Sequence, residues 1–342
     1  LRLILNPKKN LKIMAKRIAI NGFGRIGRLC FRNLFGKEGV EIVAINDLTD
    51  NATLAQLLRF DSAHGPYGKT VESTDEYLII NGQKVLASAE RNPANLPWGD
   101  LGVDVVLECT GVFRNREKAG LHLEAGAKKV LLSAPAKGAD IKTVVIGVNE
   151  QELTGAEDII SNASCTTNCL APIAKIVDEN WGFEMGSLTT THAYTSDQVI
   201  QDSPHSDLRR ARAAAFNIIP TSTGAAKAVG LVYPAVHNKM FAIAIRVPVI
   251  TGSMIELNCL VNKDVDRDTI NATFKSYADG PMKGVLQYST DPLVSSDIVR
   301  NPHSSIFDSQ LTDVMGRFVK LVSWYDNEAG YAARLSDLCE MV

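Results

Sequence analysis

Gly22-Phe23-Gly24-Arg25-Ile26-Gly27 joins a short apolar run, Lys16–Asn21 (KRIAIN), to a stretch with helical spacing, Arg28–Phe35. Glycines at the first, third and sixth positions allow a tight turn and let a ligand approach the backbone closely. A second apolar run, Val40–Asn46 (VEIVAIN), follows and ends at Asp47, twenty residues beyond Gly27. Strand, glycine turn, helix, strand, acid is the order expected of a parallel βαβ unit that binds a dinucleotide. In that reading Gly22, Gly24 and Gly27 shape the turn, and the helix entrance stabilises a pyrophosphate. Asp47 accepts hydrogen bonds from ribose hydroxyls and repels a 2′-phosphate, which favours NAD over NADP.

Working outward, the alternation continues through Val103–Cys109 (VDVVLEC), Glu117–Ala125, Lys129–Ser133 (KVLLS) and Thr143–Ile146. Thr70–Ser88 reads as hairpin strands around Asn81-Gly82, inserted in a doubly wound α/β pattern. Beyond residue 163 the text changes. Ser187–Tyr194, Met240–Pro248, Ile255–Val261 and Phe318–Tyr325 predict longer strands, with helical composition over Ala163–Asn180 and Val265–Ala278. An α+β unit with a mixed or antiparallel sheet fits. Thr195–Asn217 is too irregular for one element, and a loop of that length inside a compact domain is usually functional.

The 342 residues suggest two domains at about 150 residues each. The formal charge of −2 gives no general attraction to nucleic acid. No apolar run approaches the roughly 18 residues needed to span a bilayer, so membrane insertion is not expected. Six cysteines are too sparse for a disulfide scaffold, which points to a cytoplasmic protein. Residues 1–13 carry Arg2, Lys8, Lys9 and Lys12 and no acid, and read as a leader or cloning remnant. The cluster Arg209, Arg210, Arg212 could be a nucleic-acid patch, but not as a primary role on an acidic body.

The chemistry centres on Ser164-Cys165-Thr166-Thr167-Asn168-Cys169. A cysteine at a helix entrance has its thiolate stabilised by free N–H groups and the helix dipole, so a lowered pKa is expected for Cys165. Cys169 lies one turn further in and reads as structural; no second ligand pair supports a metal site. His192 ends a predicted strand, where side chains enter the crevice of an open sheet, and a thiol nucleophile needs such a base or imidazolium partner. Spacing alone leaves open whether the two touch.

These segments occur in the order NGFGRIG, IND, SCTTNC, THAYT, DLRRARAAA, TGAAKA, IRVP and SWYDNE. So ordered, from about Lys16 to the C-terminus, the chain resembles the phosphorylating glyceraldehyde-3-phosphate dehydrogenases. The resemblance implies a Rossmann-type NAD-binding domain (14–163 with 329–342) and a catalytic domain (164–328). It implies NAD-linked oxidation of glyceraldehyde 3-phosphate with inorganic phosphate, through a thiohemiacetal and an acyl thioester on Cys165, with His192 as base. Arg25 and Ile26 would line the pyrophosphate turn, Arg91 and Ser133 the adenosine and nicotinamide-ribose regions, and Asn327 the carboxamide. Thr195 and Arg246 would hold the substrate phosphate. Ser164, Thr166, Thr223 and Gly224 would hold the attacking phosphate, with Arg210 a further contact. A homotetramer is implied, the long loop reaching a neighbouring cofactor site. Three positions depart from the family pattern: Ala329 replaces an aromatic, Val199 a common basic residue, and Cys109 a common serine. An erythrose-4-phosphate dehydrogenase and a surface adhesion role on the same scaffold are the alternatives.

Overall fold

The computed structural model describes residues 15–342; the basic leader read at 1–13 lies outside them. The first sheet is built from β1 (Lys16–Asn21), β2 (Val40–Asn46), β3 (Val71–Ser73), β4 (Tyr77–Ile80), β5 (Gln83–Ser88), β6 (Val105–Glu108), β7 (Lys129–Leu132), β8 (Lys142–Thr143) and β9 (Ile159–Ser161). Its order is β3-β4-β5-β2-β1-β6-β7-β9-β8. From β5 to β8 every pair is parallel, and β3, β4 and β5 form an antiparallel edge. The expected hairpin turn is present at Asn81-Gly82, with φ of 48° and 82°. Two positive values match the right-handed twist of the strands they join.

Helices α1 (Arg25–Leu34), α2 (Asn51–Arg59) and α3 (Arg116–Glu124) connect these strands. Cys30, Phe31 and Leu34 of α1 are fully buried, at a spacing that puts them on one face. Burial of a Phe or Leu side chain contributes roughly 1.5–3 kcal/mol, enough to fix how α1 sits on the sheet. Because β1 is flanked by β2 and β6, the chain leaves it in opposite directions, and a crevice opens at the C-terminal ends of these strands.

One expected strand is shorter than the sequence suggests. Thr143–Ile146 keeps only its first residue in β8. The Val145 N–H donates to the Asn149 side chain instead of a neighbouring strand, and Gly147 turns the chain at φ 87°.

The second sheet follows helix α4 (Cys165–Trp181). Its strands are β10 (Phe183–Ala193), β11 (Ile219–Thr221), β12 (Met240–Val247), β13 (Ser253–Val261), β14 (Leu286–Ser289), β15 (Ser305–Asp308), β16 (Asp313–Met315) and β17 (Phe318–Tyr325). They run β11-β12-β10-β13-β17-β15-β14, with β16 against β17. Most pairs are antiparallel, but β10 runs parallel to β12 and β14 to β15. Helices α5 (Ala225–Val232) and α6 (Arg267–Asp279) complete this half, and α7 (Ala329–Met341) returns to pack on α1. The architecture is therefore α/β, a Rossmann-type sheet joined to an α+β unit. One apolar core runs from Ile18 and Phe31 through Leu170 and Ile173 of α4 to Leu335 and Leu338 of α7. That continuity places the entrance of α4 beside the crevice of the first sheet.

Candidate active site

The glycine turn separates two cavities. The first, about 450 Å³, is lined by Gly22, Gly24, Asp47, Arg91 and Val112 among others. Gly22 has φ 90°, and a Cβ there would lie 2.7 Å from the Cys109 carbonyl carbon and the Thr110 nitrogen. A Cβ on Gly27 would lie 2.1 Å from the Gly22 carbonyl oxygen, so helix and turn can touch only through glycine. A Cβ on Gly24 would meet nothing within 4 Å, which leaves that face open for a ligand. Helix α1 has no side-chain cap, so its first amides keep their capacity for an anion. Asp47 takes the Phe23 N–H at 2.7 Å and the Thr49 N–H at 3.0 Å, pinning the turn to the end of β2. Its remaining lone pairs face a cavity of a size and character that suit an adenosine. These residues fit a dinucleotide, with the open face at Gly24 free to take a pyrophosphate.

The second cavity, about 340 Å³, is lined by Arg25, Ile26, Ser133, Ser164, Cys165, His192, Thr195 and Asn327 among others. Asn327 is buried, and its side-chain oxygen accepts from Ser253 Oγ at 2.8 Å, so the amide NH2 is the end left for a ligand. The Arg25 guanidinium is taken by Asp61 and Glu328, so only the backbone of Arg25 belongs to the pyrophosphate turn.

Cys165 is the first residue of α4, capped by Ser164, whose Oγ accepts the Thr167 N–H at 3.1 Å. Ala163, just before the cap, sits at φ 55°, and Tyr331 donates its hydroxyl to the Ala163 carbonyl at 3.0 Å. A left-handed alanine costs about 1–2 kcal/mol, and this anchor helps to hold it. His192 comes from the end of β10, whose parallel register sets it opposite Arg246 on β12. The two predicted residues meet: Cys165 Sγ lies 3.4 Å from His192 Nε2. His192 Nδ1 donates to the Ala193 carbonyl at 2.7 Å, which leaves the Nε2 lone pair facing the thiol. Arg246 Nη1 is 3.1 Å from both Nδ1 and the Ala193 oxygen. Two N–H donors cannot bond each other, so the carbonyl is the acceptor they share.

Burial governs the charges here. It pushes the Cys165 thiol above its usual range, although Arg246 and the helix-entrance amides of Thr166 and Cys165 pull it back in part. It also pulls His192 down to about 3, helped by the positive charge of Arg246. The expectation of a lowered cysteine pKa is thereby corrected. The amides act in the expected direction, but desolvation outweighs them, and burial favours the uncharged form of both groups.

The anion-binding candidates divide. Arg246 reaches Thr195 Oγ1 at 3.3 Å and has an unpartnered, buried Nε, so these two form one cationic pocket beside His192. Ser164 borders the same cavity. Thr166 does not: its hydroxyl is buried against the Tyr325 hydroxyl at 2.9 Å. Gly224 caps α5 and Thr223 Oγ1 accepts the Ala225 N–H, and neither lines the cavity. Arg210 is held by Asp197, by Thr221 at 3.0 Å and by the Ser222 carbonyl.

Reading residues in isolation missed Tyr325. Its hydroxyl bridges Thr166 and Thr190, both at 2.9 Å, and its ring stands edge-on to His192 with centroids 5.9 Å apart. It also missed Glu328, the clamp on Arg25. The word SWYDNE contains both and was the available signal. Among the described residues no group of three His, Cys, Asp or Glu side chains could hold a metal. Cys169 is buried against Ser305 Oγ at 3.3 Å, in keeping with a structural thiol.

Two family models match the chain. The glyceraldehyde 3-phosphate dehydrogenase NAD binding domain matches residues 16–116, and the C-terminal domain of the same family matches residues 164–327. Among similar curated proteins is a glyceraldehyde-3-phosphate dehydrogenase from Mycobacterium avium, 56% identical over 337 residues, covering 96% of this chain and 99% of that protein. Another, from Kitasatospora aureofaciens, is 55% identical over 332 residues, covering 95% of this chain and 98% of that protein.

Proposed function

The chain belongs to the glyceraldehyde 3-phosphate dehydrogenase family, and on that footing we propose that Cys165 and His192 carry its chemistry. The enzyme is an NAD-dependent oxidoreductase of glycolysis that converts D-glyceraldehyde 3-phosphate and inorganic phosphate to 1,3-bisphosphoglycerate. The observation that carries the site reading is the 3.4 Å approach of Cys165 Sγ to a His192 Nε2 whose lone pair faces it.

Burial that favours the uncharged forms of Cys165 and His192 suits addition to an aldehyde with the proton passed between them. As Sγ bonds to the carbonyl carbon, Nε2 takes the thiol proton and returns it to the carbonyl oxygen, giving a thiohemiacetal. Bound NAD+ supplies the acceptor for the two electrons that the substrate carbon then loses. His192 Nε2 removes the hydroxyl proton in that step, and the carbon becomes an acyl thioester on Cys165. Phosphate attack on the thioester forms the acyl phosphate and releases the cysteine sulfur, which recovers its proton from His192.

Thr195 and Arg246 would grip the substrate phosphate; guanidinium and hydroxyl donors suit phosphate oxygens, and one buried Arg246 nitrogen lacks a protein partner. Ser164, which borders the cavity, would serve the attacking phosphate with Thr166, Thr223, Gly224 and Arg210, none of which lines it. NAD would be held by the turn Gly22–Gly27, by Asp47 and Arg91 at the adenosine end, and by Ser133 and Asn327 at the nicotinamide end. Residues 14–163 with 329–342 would form the cofactor domain and 164–328 the catalytic domain. Ile200, Leu208 and Phe216, on the irregular loop, are 87%, 82% and 87% exposed. Apolar side chains so displayed support burial against further copies, as the proposed homotetramer would supply. No helix among the described residues is long and apolar enough to cross a membrane, and a cytoplasmic location is the reading that suits this pathway.

The test is substrate choice. With phosphate and NAD+ present, kcat/KM for glyceraldehyde 3-phosphate should exceed that for erythrose 4-phosphate by orders of magnitude. The reverse order would overturn the proposed substrate.

A further inference from the structure

A buried charge cluster that no step above uses lies behind the pyrophosphate turn. Arg25 presents Nη1 and Nη2 to Asp61 at 2.5 and 3.1 Å, and Nε and Nη2 to Glu328 at 2.9 and 2.5 Å. His64 Nε2 joins Glu328 at 3.0 Å, and His64 and Asp61 are almost wholly buried, with 3% and 4% of their side chains exposed. Two carboxylates thus hold one guanidinium on both of its edges. An arginine in a phosphate-binding turn would ordinarily offer that fork to the ligand. Here the fork is already filled, so the charge serves the protein's own geometry.

Glu328 directly follows Asn327, and the backbone on either side of Asn327 is tied down. On one side the Asp326 carboxylate accepts from Thr251 Oγ1 at 2.8 Å, Arg300 N at 2.8 Å, and the Glu328 and Ala329 amides at 2.9 Å. On the other, Glu328 crosses 303 positions of sequence to reach Arg25. The link therefore runs from the glycine turn, through two charge-assisted bonds, to the amide that borders the second cavity.

We propose that Glu328 is a positioning residue: by clamping Arg25 it fixes the span between the pyrophosphate turn and the Asn327 amide, and so couples the two ends of a bound dinucleotide. The proposal rests on the reading of Asn327 as the carboxamide contact. Glutamine at position 328 keeps the shape but loses the charge and one of two acceptors, which frees the turn from the Asn327 loop.

ADP-ribose, which is NAD without its nicotinamide ring, separates the two ends. Calorimetric titration of the full-length protein with NAD+ and with ADP-ribose gives an affinity ratio that reports the nicotinamide end alone. In Glu328→Gln this ratio should fall about tenfold, a typical size for coupling between sites, while ADP-ribose affinity stays close to wild type. Arg25→Gln cuts the same link from the other side and should lower the ratio likewise, which keeps the test open if the first variant does not fold. Equal weakening of both ligands, or a ratio unchanged from wild type, overturns the positioning role. Asn327→Ala distinguishes the underlying reading: a ratio unchanged in that variant overturns the carboxamide contact and the proposal together. A ratio lost in Asn327→Ala but kept in Glu328→Gln overturns Glu328 alone.

Discussion

Replacing His192 with asparagine should change how stability responds to acid. The ring is 3% exposed, and burial beside Arg246 holds it at about 3 against an ordinary value of 6.5. The folded protein therefore refuses a proton that the unfolded chain accepts. The stability contributed by keeping the ring neutral is fully present above the unfolded value and is lost progressively as pH falls toward the folded one. Between about pH 7.5 and pH 5 the unfolded chain gains about 2 kcal/mol from this residue alone, while the folded protein gains almost nothing. Urea unfolding of wild type and His192→Asn at those two pH values isolates the effect, because the other five of the six histidines are common to both proteins. Wild type should lose about 2 kcal/mol more than the variant on acidification. Equal losses would refute the neutral, buried imidazole. Turnover by the folded variant should fall ~10²–10⁴-fold, mainly in kcat, because the proton acceptor is gone while Thr195 and Arg246 are untouched.

Two further substitutions test the cofactor side. Gly27→Ala drives a methyl group to 2.1 Å from a backbone oxygen that no rotamer change can move, so unfolding free energy should drop by at least about 2 kcal/mol and NAD affinity with it. Thermal melts with and without NAD+ check this, and a wild-type melt would refute the contact. Asp47→Asn removes the carboxylate that would face a 2′-phosphate, so the preference in kcat/KM for NAD+ over NADP+ should narrow roughly tenfold or more. An unchanged preference would move cofactor selection elsewhere.

What the sequence disclosed was what is local. KRIAIN followed by the glycine turn defines β1 and α1 because strand alternation, the turn and the apolar face of α1 all lie within about twenty residues. The same holds for Phe318–Tyr325, which is β17 residue for residue. Strands β14, β15 and β16 have 4, 4 and 3 residues and carry no usable period, so they emerge only from pairing with distant partners. Thr143–Ile146 misled because its β-branched run is buried in a turn held by the Asn149 side chain. Within the site, the words around Cys165 and His192 pointed to both residues, but their contact depends on α4 and β10 packing together. The diversion of Arg25 was illegible because Asp61 and Glu328 lie 36 and 303 positions away. The sign of the Cys165 shift was misjudged for a related reason. A helix entrance is visible in sequence, whereas the desolvation that outweighs it is a property of the whole packed core.

The central claim is that Cys165, and no other thiol, carries the acyl group. The enzyme should be mixed with glyceraldehyde 3-phosphate and NAD+ in the absence of inorganic phosphate, quenched in acid, digested and weighed peptide by peptide. One phosphoglyceryl thioester is expected on the peptide containing Cys165, and it should vanish when phosphate is added before the quench. An adduct on Cys169 or on any other cysteine, or none at all in enzyme that turns over when phosphate is supplied, would contradict the account.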